Sequence, residues 1–342
     1  MKRYRKLQVI ISVACIVSLL LIGCSKAETT DSKVAGDNTS KIKVVTTLFP
    51  QYDFTNQVGK DAVEVKMLLK PGVESHTYEP APSDIIEINK ADVFLYTGDE
   101  MEPWVSKILD SLDSDVMIVD LSKNITLDKV EDHDHEHEDE EGDEDHLHED
   151  ESEEAEHEED HEEDHVHSYD PHIWTNPLNA KIMVEDIKTA LSEVDKANKM
   201  TYENNAKEYL ASLDQLDQDI REVVKQAKRD EVVFGGRFAF HYFFEEYGLD
   251  YVSAYDSCSS ETEPSAKVIA TIIDKVKEDQ IPVIFYEEFA NPKVAESIAN
   301  ATGAKTLLLH SCHNVSTDDY KNGATYFSLM YQNLENLKEA LN

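Results

Sequence analysis

Five histidines of the chain, His76, His172, His241, His310 and His313, stand apart from the other nine. Imidazole can shuttle protons near neutral pH or bind a borderline-soft metal, and the surroundings of these residues favour the second use. His76 lies in "PGVESHTYEP", where Pro71 and Gly72 turn the chain and Pro80 and Pro82 mark the next helix start. His172 lies in "DPHIWTNP", between Pro171 and Pro177. Proline-flanked loops hold a ligand with little conformational entropy left to lose. Neutral imidazoles suit zinc above all, with copper, nickel and iron as further options, whereas carboxylates pull the preference towards manganese. A zinc hydrolase would add a positioned general base and an open coordination site. Outside the Glu/Asp/His-rich run from Glu131 to His167 no "HExxH"-type motif is present, so the chain reads as a binder and not an enzyme.

The other nine histidines fall between Glu131 and His167, in a run made almost wholly of Glu, Asp and His. Such a segment cannot bury enough apolar surface to fold. Repeated His-acid-His spacing points to loose metal capture, and tight binding is not expected without a fixed geometry. The formal net charge of −39 excludes nucleic acid and anionic membrane surfaces as partners and favours cations as ligands.

Four cysteines remain to be placed. Lys2, Arg3, Arg5 and Lys6 precede an apolar run from Val9 to Ile22, shorter than the roughly 20 residues of a membrane-spanning helix. The run ends in "LIGC", which resembles a bacterial lipobox. Residues 1–23 are then a signal peptide that carries Cys15 away, and Cys24 is the lipid-attachment residue of an extracytoplasmic protein anchored to the cell membrane. Residues 24–40 read as a flexible tether. Cys258 in "DSCSSETEPS" and Cys312 in "HSCHN" are left in an oxidising compartment. Pairing in a disulfide is the first reading, free thiols the second and thiolate ligation the third. Glu261, Glu263 and Glu288 are further oxygen donors, with helix capping and surface charge as the preferred alternative.

These residues need a frame. β-branched runs at Ile42 to Phe49, Val63 to Leu69, Asp92 to Tyr96 and Val116 to Val119 alternate with amphipathic stretches at Ser83 to Lys90 and Pro103 to Leu112. The alternation resumes after the acidic segment, with strands predicted at Glu231 to Phe234, Tyr251 to Ala254, Pro282 to Tyr286 and Lys305 to Leu309. Helices are predicted at Phe238 to Tyr247, Ser265 to Glu278, Pro292 to Thr302 and Thr325 to Leu341. The pattern predicts an α/β protein of two βα lobes on mainly parallel sheets, spanning residues 41–195 and 229–342. Tyr209, Leu213, Leu216, Ile220, Val223 and Ala227 form the stripe of one helix within residues 196–228, a stiff connector. Each of the five histidines then falls at a strand end, loop or helix start, where two lobes converge on a cleft.

"PGVESHTYEP" and "DPHIWTNP" are similar to the two metal-histidine motifs of the zinc and manganese substrate-binding proteins of bacterial ABC importers. The His/Asp/Glu-rich insertion between them resembles the zinc-type members, and the likeness runs from about Lys41 to the C-terminus. The resemblance implies two four-stranded lobes joined by a rigid helix, one metal in the interlobe cleft, and delivery to an ABC permease and its ATPase. A monomer is expected, with zinc as the cargo and manganese, or an adhesin with a structural metal, as alternatives. Carried over residue by residue, it implies His76 and His172 as ligands from the first lobe. The family's third ligand position is held here by Arg237 in "GGRFAFHYFFEEYGL", and a guanidinium cannot coordinate a cation. His241, four residues on, is the candidate replacement, with packing inside the helix as the alternative. The fourth position aligns with His310, and His313 is the competing choice.

Overall fold

The computed structural model describes residues 41–113, 115–129, 169–255 and 263–342. The signal segment, Cys24, the tether, the acidic segment, Cys258 and Glu261 lie outside the described residues. Residues 41–342 form one compact unit, in which two sheets repeat one plan. Strands β1 (Ile42–Thr46), β2 (Val63–Met67), β3 (Val93–Tyr96) and β4 (Met117–Asp120) make the first, in the order β2-β1-β3-β4. Strands β5 (Glu231–Phe234), β6 (Asp250–Ser253), β7 (Val283–Tyr286) and β8 (Lys305–Leu308) make the second, in the order β6-β5-β7-β8. Every pairing is parallel. Parallel strands need covering on both faces, which explains why Val93, Phe94 and Leu95 are all buried without alternation.

Helices α1 (Phe49–Gly59), α2 (Pro82–Ile88) and α3 (Pro103–Ile108) belong to the first sheet. β1 stops three residues short of its predicted run, just before α1, and β2 stops two short, where the polar loop begins. α4 (Pro177–Val194) leads into α5 (Lys199–Lys225), the connector, whose Tyr202, Ala206, Tyr209, Leu213, Leu216 and Ile220 are buried. Helices α6 (His241–Tyr247), α7 (Ala266–Glu278), α8 (Lys293–Thr302), α9 (Thr317–Lys321) and α10 (Tyr326–Ala340) complete the second half. Gly235, directly after β5, has no room for a side chain, because a Cβ there would stand 2.4 Å from the Ala295 Cα in α8.

The two sheets do not have separate cores. One apolar cluster runs from Val44 and Phe54 through Met183 and Leu213 to Phe234, Phe285 and Tyr326. Satellite clusters cover the outer faces, one around Val45, Phe94 and Trp104 and the other around Ile272, Ile284 and Ile298. Buried Asp53 of α1 ties the centre together, accepting hydrogen bonds from the Tyr209 hydroxyl of α5 at 3.2 Å and the Tyr326 backbone N–H of α10 at 3.0 Å.

Candidate metal centre

In both sheets the loops that follow the carboxyl ends of the strands carry the polar chemistry, as parallel α/β folds dictate. β2 leads into the loop of His76, β5 into Arg237, β7 into Glu287 and Glu288, and β8 into His310 to Asn314. His172 precedes the short 3-10 turn Ile173–Thr175 before α4.

Loops from the two halves are stitched together. The Trp174 indole donates to the Ser311 carbonyl at 2.7 Å. The Asn314 amide donates to the carbonyls of Lys70 and Val73, each at 2.8 Å, and the Gly72 N–H donates to the Val315 carbonyl at 2.8 Å. The turn that presents His76 is thereby fastened to the loop that presents His313.

Three imidazoles meet there. His172 Nε2 lies 3.2 Å from His76 Nε2, and the His76 and His313 ring centroids are 6.4 Å apart. Ligand nitrogens around tetrahedral zinc, at bond lengths of about 2.0–2.1 Å, stand roughly 3.3 Å apart, so the first pair already has the spacing of two corners of such a shell. Each of two rings is aimed by a carboxylate on its other nitrogen. His172 Nδ1 lies 3.0 Å from Asp170 Oδ1, which also accepts the His172 backbone N–H at 2.8 Å. His313 Nδ1 lies 3.2 Å from Glu288 Oε1 and 2.5 Å from the Ser311 hydroxyl. With Nδ1 so engaged, His313 Nε2 is buried without a hydrogen-bond partner, 3.9 Å from Glu74. A buried polar atom left unpaired needs a reason, and a carboxylate-oriented ring with a bare nitrogen is the arrangement metal-binding histidines use.

The electrostatics match. Burial, then His172, His313 and Arg237, push His76 down to about 3, so it stays neutral. Burial alone would lower His313, but Glu288 outweighs it and raises the imidazole above its usual 6.5. Glu288 itself, despite burial, is held well below the ordinary carboxylate range by His310 and His313. Burial, then Glu288, pushes Glu287 up to about 8. A cavity of about 130 Å³ adjoins this set, lined among others by Glu74, Arg237, Glu263, Glu287 and Phe289.

The sequence-derived candidates divide accordingly. His76 and His172 come together. His310 is buried, but its Nδ1 accepts the Cys312 N–H at 3.0 Å and lies 3.3 Å from Glu288, so this ring closes the turn that displays His313. The turn is tight, with Cys312 at φ +65°, in the left-handed region. Its free thiol is fully buried, and the other partner of the expected disulfide, Cys258, is not described. His241 stays outside the trio. The predicted helix from Phe238 begins only at His241, because Phe238 and Phe240 leave helical geometry to pack their rings against Phe234 of β5. Arg237 and His241 are therefore not one helical turn apart. Glu288, read from sequence as a surface or capping acid, is buried and accepts the Ser311 N–H and hydroxyl at 2.8 and 2.7 Å. Its orienting role had no sequence signal beyond a paired acid after a strand, whereas Asp170 was visible two residues before His172.

Residues 44–340 match the family model described as zinc-uptake complex component A, periplasmic. The chain belongs to that family. It is 36% identical over 326 residues to the high-affinity zinc uptake system protein ZnuA of Bacillus subtilis, covering 94% of each chain. It is 34% identical to the zinc-binding lipoprotein AdcA of Streptococcus pneumoniae, covering 96% of this chain but 60% of that one. The crystal structure of the Zn(II)-bound ZnuA-like domain of S. pneumoniae AdcA superposes with a TM-score of 0.69 at 32% identity, covering 88% of this chain and 99% of that domain. The doubled four-stranded α/β architecture expected from the strand pattern is the fold of this family.

Proposed function

We propose that the chain captures zinc outside the cytoplasmic membrane and hands it to an ABC permease driven by its ATPase, held at the membrane by a lipid on Cys24. The observation that carries this reading is the His76–His172 pair at 3.2 Å, facing the unpartnered Nε2 of His313 across a stitched interlobe seam. His76, His172 and His313 are the proposed ligands, in place of His241 and His310. A fourth position falls to Glu74, Glu287 or water.

Three imidazoles favour zinc over manganese, which prefers an oxygen-rich shell. Asp170 and Glu288 balance the incoming charge through the rings they orient. Arg237 belongs to the wall of the same cavity, where its charge helps keep His76 neutral and ready to bind. The continuous core and α5 leave the loops, more than the lobes, free to move when the ion enters or leaves.

Competitive calorimetry with zinc and manganese on the full chain tests the reading. One tight zinc site that manganese fails to displace is expected. Manganese binding equal to or tighter than zinc would overturn it.

A further inference from the structure

His241, left out of the cleft, has partners of its own. Its Nε2 lies 3.6 Å from the Glu245 carboxylate, one turn on along α6. Asp128 completes a group in which one ligand atom from each residue lies within 4.8 Å of the others. Asp128 sits at the foot of the acidic segment, where Lys129 and Tyr169 form an isolated antiparallel bridge.

The position of Asp128 is fixed. Its backbone N–H donates to the Tyr242 hydroxyl at 3.1 Å, and that hydroxyl donates to the Asp170 carbonyl at 2.8 Å. Two carboxylates are thus brought against each other and against an imidazole. Partial burial, then the Asp128 charge, raises Glu245 above the usual carboxylate range. Such a pair is relieved either by a shared proton or by a cation. Zinc bonds of about 2.0–2.2 Å put tetrahedral donors roughly 3.4 Å apart; His241 and Glu245 already stand at 3.6 Å, and the group, within 4.8 Å, closes further through movement of the exposed Glu245 side chain and of Asp128.

We propose that Asp128, His241 and Glu245 form a second zinc site, weaker than the cleft and separate from it, at the foot of the acidic segment. Three protein donors, solvent exposure and the partial positive charge at the start of α6 all keep it weak. Its mixed imidazole and carboxylate donors are those of the acidic segment itself. The hydrogen-bonded path through Tyr242 ends on Asp170, the residue that orients His172. An ion held here waits beside the cleft and exchanges with the segment.

The full chain labelled with nitrogen-15 in histidine, titrated with zinc beyond one equivalent, tests this site by NMR of the ring nitrogens. The His241 resonance is identified by its loss in His241→Ala. His241 Nε2 should shift only after the first equivalent. The double variant Asp128→Asn, Glu245→Gln should weaken that second response by at least about tenfold, with the His172 response unchanged. An unmoved His241 in excess zinc would overturn the proposal, as would an undiminished shift in the double variant, which would reveal a lone imidazole.

Discussion

At the scale of single residues, the chemistry of the cleft lies in which nitrogen of each ring is left bare. His313 has Nδ1 engaged and Nε2 unpartnered, whereas His310 spends Nδ1 on the Cys312 N–H. His172→Ala and His313→Ala should therefore each weaken zinc binding by two or more orders of magnitude, and His241→Ala should leave the tight site untouched. His310→Ala should act indirectly, through the turn, with a smaller loss. Competition against a chromophoric chelator would rank the four, and a His310 effect exceeding that of His313 would reverse their assignments. The same residues set the pH dependence. Glu288 raises His313 above its usual 6.5, so its ring gives up its proton at higher pH than a free imidazole, and Glu287, pushed up to about 8 by burial, carries a proton near neutrality. Binding near pH 7 should release about one to two protons, and affinity should rise with pH. Calorimetry in buffers of different ionisation enthalpy measures that number, and His313→Ala should reduce it.

At the scale of elements, the loops of His76 and His172, whose rings the structure brings together, were legible because proline brackets both histidines within the sequence itself. The eight strands were legible as well, since buried parallel strands are short apolar runs such as "VVF" before Gly235 and "VIFY" before Glu287. The α1 helix was not, because its first residue, Phe49, closes the apolar run "IKVVTTLF" that reads as one strand. The start of α6 was misjudged because six aromatics in ten residues look alike whether they line a helix or pack on a sheet. What sequence could not supply was the seam between the halves, since nothing local marks Asn314 as the residue that fastens two loops. Asn314→Ala removes two 2.8 Å hydrogen bonds across the seam, leaving the Lys70 carbonyl with only the Val73 N–H at 3.1 Å and taking the side-chain donor from the Val73 carbonyl. A loss of roughly 1–3 kcal/mol in urea unfolding is expected. Zinc affinity should fall with it, although no proposed ligand is touched, because the His76 loop is no longer held to the His313 loop. Unchanged affinity alongside lowered stability would show that the seam does not organise the site.

At the scale of the whole molecule, the compact body carries the histidine cleft, while the segments outside the described residues are read through their composition. "LIGC" predicts that the mature chain begins at a diacylglyceryl-modified Cys24, which intact mass of the membrane-extracted protein checks directly. The acidic segment has a different task. With an excess of 39 negative charges over the whole chain and nine of fourteen histidines between Glu131 and His167, its composition predicts that it raises the local concentration of divalent cations. A run of Glu, Asp and His without apolar residues has no core to hold its rings in one geometry, so its binding should be multiple and weak. Replacing Glu131 to His165 by a short Gly-Ser link should therefore leave the tight site at its original affinity and abolish several weak ones. The rate of zinc capture at low salt should fall as well, since the steering charge is gone, and this difference should shrink at high ionic strength. Equilibrium dialysis gives the stoichiometry and stopped-flow mixing the rate. Loss of the tight site in the shortened protein would mean that the segment, and not the histidine cleft, holds the ion.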